Sequence, residues 1–168
     1  MNKLIAAAVL LVIAVGCQRA STDAAPAPAP AASGSSSAAA PSFETATYKL
    51  EIEPIGAYKK GEAATFRVVL RTKGEFHVNE EYPTKFKASD TPAVRFAAAQ
   101  LGRADHPEAF KAVPCASGKD NCTLELTVGF TPQESGKVRL GGEMSIGVCN
   151  KDNCIFDKKT LEREVPVS

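Results

Sequence analysis

The sequence predicts an all-β protein that folds as an antiparallel β-sandwich, and three observations support this prediction. From residue 43 to the end, apolar and polar residues alternate in short segments, which is typical of half-buried strands. Turn-forming residues separate the segments. Only residues 102–110 (GRADHPEAF) have a weakly helical or irregular pattern. Many short alternating strands in one domain favour two packed antiparallel sheets.

Five segments carry the alternation, and each has a row of apolar residues that faces one side. In chain order, the rows are Tyr48, Leu50 and Ile52; Phe66, Val68 and Leu70; Leu124, Leu126, Val128 and Phe130; Val138, Leu140, Met144, Ile146 and Val148; and Leu161, Val165 and Val167. Turns are predicted at Gly56 and Gly61, at residues 73–74, at residues 132–136 and at residues 150–153. Inside the fourth segment, Gly141 and Gly142 predict a bulge or a kink.

Length, charge and missing motifs exclude several classes of function. The chain has 168 residues, enough for one domain, and a formal net charge of +1, so a nucleic-acid partner is not expected. It has no phosphate loop, nucleophile elbow or paired-carboxylate signature. The acidic run at residues 79–83 (NEEYP) is interpreted as solvated charge. We expect a monomer without a cofactor.

The first residues resemble the signal and lipobox of bacterial lipoproteins. Lys3 precedes the apolar run of residues 4–15, which is short for a membrane span, and Cys17 follows directly after small residues. The resemblance implies a signal peptide over residues 1–16 and a lipidated Cys17, and Gln18 after it favours the outer membrane. The alternative is a plain secretory signal that is cleaved nearby, with an incidental cysteine. Both interpretations put the protein in the cell envelope, outside the cytoplasm.

Residues 17–42 follow as a low-complexity stretch of mainly Ala, Pro and Ser. Such a composition lacks the apolar residues of a core, so it predicts a disordered tether between the lipid anchor and the domain of residues 43–168.

Four cysteines remain in the domain, and an even number in an exported chain favours two disulfides. Cys149 and Cys154 flank four turn-forming residues, so they should face each other across a hairpin. Such a bond at a sheet end is either a structural staple or a redox pair. The residues alone favour the staple, because most disulfides of exported proteins are structural. Cys115 and Cys122 bracket a polar loop before a core strand, and we interpret them as the structural disulfide.

A metal site is not expected. His77 and His106, with Met144 and Cys149, are the residue types of a blue-copper site, but such sites usually carry a histidine shortly after the cysteine, where Cys154 stands here. The histidines also lack the ligand spacing of a zinc site.

Residues 73–167 resemble the N-terminal periplasmic domain of the thiol:disulfide interchange protein DsbD family. The hallmark spans residues 145–165: a strand that ends in Cys149, a short polar turn, Cys154, and a closing strand. The resemblance implies an immunoglobulin-like fold and a redox-active pair. That pair would take electrons from a thioredoxin-like partner and pass them to periplasmic disulfide proteins. This chain would need its electron supplier in trans.

The resemblance also implies a cap that shields the cysteines with acidic and aromatic residues. By order along the chain, Asp105, Glu108 and Phe110 are its candidates. Phe76 is a further shield candidate, since residues 76–78 stand where the family often has tyrosines. Two functions therefore fit the sequence: thiol-disulfide exchange through Cys149 and Cys154, and that of a non-catalytic binding or structural lipoprotein with two structural disulfides. The sequence does not distinguish which cysteine attacks.

Overall fold

The computed structural model describes residues 40–168, and over these residues the all-β prediction is confirmed. The only helical element described is a 3-10 turn at Pro107–Ala109 within the segment predicted to be irregular. None of the described helices is long and apolar enough to cross a membrane. The strands are β1 (Ser42–Glu44), β2 (Tyr48–Pro54), β3 (Ala64–Thr72), β4 (His77–Val78), β5 (Lys85–Ala88), β6 (Val94–Phe96), β7 (Gln100–Gly102), β8 (Phe110–Pro114), β9 (Asn121–Pro132), β10 (Gly136–Cys149) and β11 (Cys154–Val167).

The strands form two antiparallel sheets. The first has the order β1-β2-β3-β9-β6, with β8 beside β6 on the same edge of β9. The second has the order β11-β10-β5-β7, with β4 next to β5 along β10. This arrangement is an immunoglobulin-like antiparallel β-sandwich. β10 has neighbouring strands on both sides, whereas β11 lies at the edge of the sheet. Cys149 at the end of β10 therefore has neighbouring strands on both sides, and Cys154 at the start of β11 has one on one side only.

The core lies between the two sheets and is made by the predicted apolar rows. Side chains of β2, β3 and β9 meet side chains of β5, β10 and β11. The largest fully buried side chains are Tyr48, Leu50, Ile52, Phe66, Leu70, Phe86, Leu124, Leu126, Leu140, Met144, Ile146 and Leu161. Burial of one face of each strand therefore explains the alternation in the sequence.

The chain makes hydrogen bonds to both sheets where it enters the described region. The carbonyl of Ala40 accepts a hydrogen bond from Glu162 on β11, and the carbonyl of Pro41 accepts one from Ile52 on β2. Ordered structure thus includes residues 40–42, at the end of the stretch interpreted as a tether. The predicted signal peptide, the predicted lipidation site Cys17 and residues 18–39 of the predicted tether lie outside the described residues.

A buried tyrosine connects the sheets near the hairpin strand. The hydroxyl of Tyr48 on β2 donates to Asp157 on β11 over 2.6 Å. Burial, together with this carboxylate, raises the pKa of Tyr48. For Asp157, burial works to raise the pKa, but hydrogen bonds from Tyr48, Lys159 and the Lys158 backbone outweigh it and hold the pKa below its ordinary value.

The bulge predicted at Gly141 and Gly142 is wrong. Both glycines stay in register with β11, opposite Glu162 and Leu161, without a shift in the ladder. Their backbone instead lies against close neighbours: a side chain at Gly142 would collide with the Phe86 ring, and one at Gly141 with the Leu161 carbonyl. Close approach, not a bulge, therefore requires the two glycines.

Candidate functional site

The two hairpin cysteines close the ladder between β10 and β11. Cys149 and Cys154 are the last paired residues and are joined by a disulfide, with Cα atoms 4.0 Å apart. The turn between them is held by Asn150, whose side-chain oxygen accepts hydrogen bonds from the backbone N–H groups of Asp152 and Asn153, each over 2.9 Å. The predicted cysteine hairpin is therefore present, and residues 149–154 form its turn by hydrogen bonds among themselves.

The two cysteines differ in their exposure to solvent. Cys149 is only 6% exposed, because it ends the central strand β10 and lies opposite His77 of β4 on its other side. Cys154 begins the edge strand β11 and is exposed. A molecule arriving from solvent therefore reaches Cys154 first.

Asn79, which follows β4, contacts the disulfide from the side. Its backbone N–H donates to the carbonyl of Gly147 over 2.9 Å and so continues the pairing along β10. Its side-chain nitrogen lies 3.1 Å from Sγ of Cys149 and 3.9 Å from Sγ of Cys154. The interpretation of residues 79–83 as solvated charge therefore missed a contact of this segment with the site.

Two aromatic rings stack beside the disulfide on the outer face of the sheet. The Tyr82 and Phe156 rings have centroids 4.9 Å apart and planes inclined by 25°. Phe156 is 57% exposed, although it is a large apolar side chain. Gly147 lies opposite Phe156, and a Cβ on Gly147 would come within 2.8 Å of Tyr82. The absence of a side chain at Gly147 therefore lets Tyr82 cover the strand.

The disulfide forms part of a polar cleft of about 390 Å³. The cleft is lined by His77, Val78, Asn79, Glu80, Glu81, Lys119, Asp120, Asn121, Cys149 and Cys154. Glu80 accepts hydrogen bonds from Asn121 and, over 3.4 Å, from Arg103. The carboxylates of Glu81 and Asp120 have no such partner among the described residues, so the cleft has an acidic character.

The second disulfide holds one wall of this cleft. Cys115 and Cys122 are bonded with Cα atoms 4.7 Å apart, and the Cys115 N–H donates to the carbonyl of Asp120 over 2.7 Å. The loop turns at Gly118, whose φ of 72° favours glycine. Because the loop between these cysteines contributes Lys119 and Asp120 to the cleft, the bond fixes that wall.

The proposed cap residues lie elsewhere. Phe110 belongs to β8, pairs with Leu126 and packs against the core. Asp105 and Glu108 are exposed, and Glu108 pairs with His106 over 3.3 Å. Asp105, Glu108 and Phe110 are absent from the residues that line the cleft.

Some of the remaining candidate residues border the cleft or the second disulfide, and others lie away from both. Phe76 packs against the core, and its carbonyl lies 4.0 Å from Sγ of Cys122, so it borders the second disulfide. His77 lines the cleft, whereas His106 does not, and Met144 is buried in the core. Over residues 40–168, no group of three or more His, Cys, Asp or Glu side chains could hold a metal ion.

Comparison with known proteins gives no family. No protein-family model and no curated protein matches the chain. Among solved structures, a cohesin module from a Clostridium perfringens family 33 glycoside hydrolase is 16% identical, over 73% of this chain and 98% of its own, with a TM-score of 0.36.

Two further solved structures are similar. The PapD-like domain 7 of human CEP192 is 12% identical over 75% of this chain and 91% of its own, with a TM-score of 0.28. AggA, the major subunit of aggregative adherence fimbriae type I from Escherichia coli, is 10% identical over 75% and 99%, with a TM-score of 0.34. Similarity at this level indicates no function for this chain.

Proposed function

We propose that this domain exchanges disulfides with partner proteins through Cys149 and Cys154, as a stand-alone relative of the DsbD N-terminal domain. The observation that carries the proposal is the asymmetry of the pair: an exposed cysteine and a buried cysteine, bonded next to the turn of a hairpin and bordering a cleft. Thiol-disulfide exchange needs one sulfur that a partner reaches and one that leaves. A bond that served only as a staple would not need this division.

The different exposure of the two cysteines sets the order of the proposed steps. A thiolate of a reduced dithiol partner attacks Sγ of Cys154, forms a mixed disulfide with it, and displaces Cys149 as a thiolate. The second thiolate of the partner then attacks the partner's sulfur in the mixed disulfide and releases Cys154 as a thiolate. The partner is oxidised to a disulfide, and the pair gains two electrons and takes up two protons from solvent. The same steps in reverse reduce a substrate disulfide.

The surface around Cys154 is the area that a partner must contact. Phe156 lies two residues along β11, on the same face of the strand as Cys154, and is held by its stack on Tyr82. An exposed aromatic side chain that is already rigid loses little entropy when a partner covers it. We therefore assign Phe156 to the docking surface for the thioredoxin-like or other disulfide protein that reacts at Cys154.

The envelope location is part of the proposal and is supported by the sequence alone. Cleavage after residue 16 and lipidation of Cys17 would anchor the domain to a membrane, with the outer membrane favoured. An oxidising compartment is also where a disulfide substrate or partner would be met.

Trapping with single-cysteine variants tests the proposed function. In Cys149→Ser the thiol of Cys154 stays exposed, and in Cys154→Ser only the buried thiol of Cys149 remains. We expect the Cys149→Ser variant to form a mixed disulfide with glutathione disulfide at least about tenfold faster than Cys154→Ser. Equal rates would remove the proposed order of attack. Failure of both variants to react in the folded state would leave the alternative, a binding or structural lipoprotein with two structural disulfides.

A further inference from the structure

We propose that Asn79 is a positioning residue of the exchange reaction, whose side-chain amide stabilises Cys149 as the leaving thiolate. The inference rests on the proposed function and deepens it, because it assigns a residue that decides which sulfur departs. Asn79 lies 70 positions before Cys149 and in none of the alternating segments.

The orientation of the amide follows from its other contacts. The side-chain oxygen of Asn79 accepts hydrogen bonds from the backbone N–H groups of Glu81, over 2.9 Å, and Tyr82, over 3.1 Å. Only the oxygen accepts, so these two donors fix which end of the amide is which. The NH₂ group must then point to the disulfide. Because the Asn79 backbone is also paired with Gly147, the donor is held in place before any reaction.

The amide is selective for one sulfur. It lies 3.1 Å from Sγ of Cys149 and 3.9 Å from Sγ of Cys154. A hydrogen bond to a neutral disulfide sulfur is weak, but it strengthens when that sulfur becomes an anion. The donor therefore favours the state in which Cys149 has left and Cys154 is bonded to the partner.

Cys149 needs such a donor because its surroundings disfavour a thiolate. At 6% exposure it has little access to water, and burial raises the pKa of a thiol. The charged and titratable groups that line the same cleft include more acids than bases: His77, Glu80, Glu81, Lys119 and Asp120. The hairpin turn adds Lys151 and Asp152, which are both exposed. The amide of Asn79 supplies the hydrogen bond that water gives an exposed thiolate.

The chain offers a matched control residue. Asn150 also accepts two backbone N–H groups through its side-chain oxygen, in the turn directly after Cys149. Among the hydrogen bonds of the described residues, its side-chain nitrogen has none to a sulfur. Replacing either asparagine by aspartate keeps the acceptor for its turn and adds one negative charge. Only Asn79→Asp also removes a donor from Cys149.

The first experiment measures the pKa of the Cys149 thiol in the Cys154→Ser variant, by the pH dependence of alkylation. Because Asn79→Asp removes a hydrogen bond to the thiolate, it should raise the pKa of the Cys149 thiol by about one to two units. Asn150→Asp should raise it by less than about half a unit. Asn79→Ser, which also lacks the amide, is expected to raise it as well and serves if the aspartate variant does not fold. Equal pKa values in the Asn79 and Asn150 variants would overturn the proposal.

The second experiment measures the rate at which dithiothreitol reduces the Cys149–Cys154 disulfide in the folded two-cysteine protein. A higher pKa makes Cys149 a worse leaving group, so Asn79→Asp should slow this reaction roughly three- to tenfold relative to Asn150→Asp. This range assumes that the rate depends on the pKa of the leaving thiol about as strongly as it depends on that of the attacking thiol. If the unsubstituted pair resists reduction, the proposed function fails while the pKa still decides the role of Asn79. If the pair is reduced but the two variants react equally fast, only the role of Asn79 fails.

Discussion

Loss of the Cys149–Cys154 bond should leave the domain folded, as an exchange reaction requires. The two cysteines are only 5 positions apart in sequence, and for so short a loop the chain-entropy relation gives about 2 kcal/mol of stabilisation. The ladder between β10 and β11 and the buried side chains of Ile146 and Val148 hold the hairpin without it. A loss of this size lowers the Tm of a domain of this length by roughly 7 °C.

The assay compares denaturant and thermal unfolding of the Cys149→Ala/Cys154→Ala double variant with the unsubstituted domain. The matched control is Cys115→Ala/Cys122→Ala, whose slightly longer loop predicts a loss of about 2.5 kcal/mol. If removal of the hairpin bond unfolds the domain, or lowers the free energy of unfolding by more than about 5 kcal/mol, the bond is essential to the fold and does not open freely for exchange.

The other predictions concern the sheet-to-sheet hydrogen bond and the aromatic stack. Tyr48→Phe removes a hydrogen bond to a carboxylate and should lower the free energy of unfolding by about 1.5 to 2 kcal/mol at pH 7. Because the folded-state pKa of Asp157 is depressed, its contribution is present above the unfolded pKa of about 3.9 and is lost as the pH falls through the folded value. Unfolding at pH 7 and pH 3 should therefore show the difference between the proteins shrink in acid, and a constant difference would contradict the assignment. Gly147→Ala brings a methyl group into the tyrosine ring that covers it and should cost about 1 to 3 kcal/mol, with altered ring-current shifts of Phe156 in NMR spectra; unchanged shifts would contradict the contact. Phe156→Ala should slow exchange with a protein partner about fivefold or more without slowing exchange with glutathione, whereas Ile55→Ala, at another exposed apolar residue, should change neither rate; equal effects of the two variants would remove Phe156 from the docking surface.

Sequence alternation predicted the long strands because each buries one face for most of its length. β2, β3, β9, β10 and β11 contain the five predicted rows. The short strands β4 to β8 escaped prediction, since two to five residues are too few to show a period. Their positions depend on pairing with strands that are distant in sequence: β6 and β8 pair with β9, β4 and β5 pair with β10, and β7 pairs with β5. A local sequence pattern contains no information on such pairing.

The candidate site was predictable only where it is local. The hairpin that joins Cys149 to Cys154 follows from the turn residues between them, whereas their different exposure depends on which strand is central and which is at the edge. Asn79 could not be predicted, because its contact with Cys149 arises from pairing of distant segments. Assignment of Phe110 by order along the chain placed it in the cap, but it lies in a strand that packs on the core.

The reduction potential of each disulfide tests the exchange function most directly. It is measured in the folded domain of residues 40–168, by equilibration in thiol buffers with trapping and mass mapping. We expect the Cys149–Cys154 bond to equilibrate in the range of exchange proteins, roughly −270 to −120 mV, while the Cys115–Cys122 bond stays closed. If the Cys149–Cys154 bond resists reduction to below roughly −300 mV, or opens only as the domain unfolds, it is a structural disulfide and the proposed exchange function is contradicted.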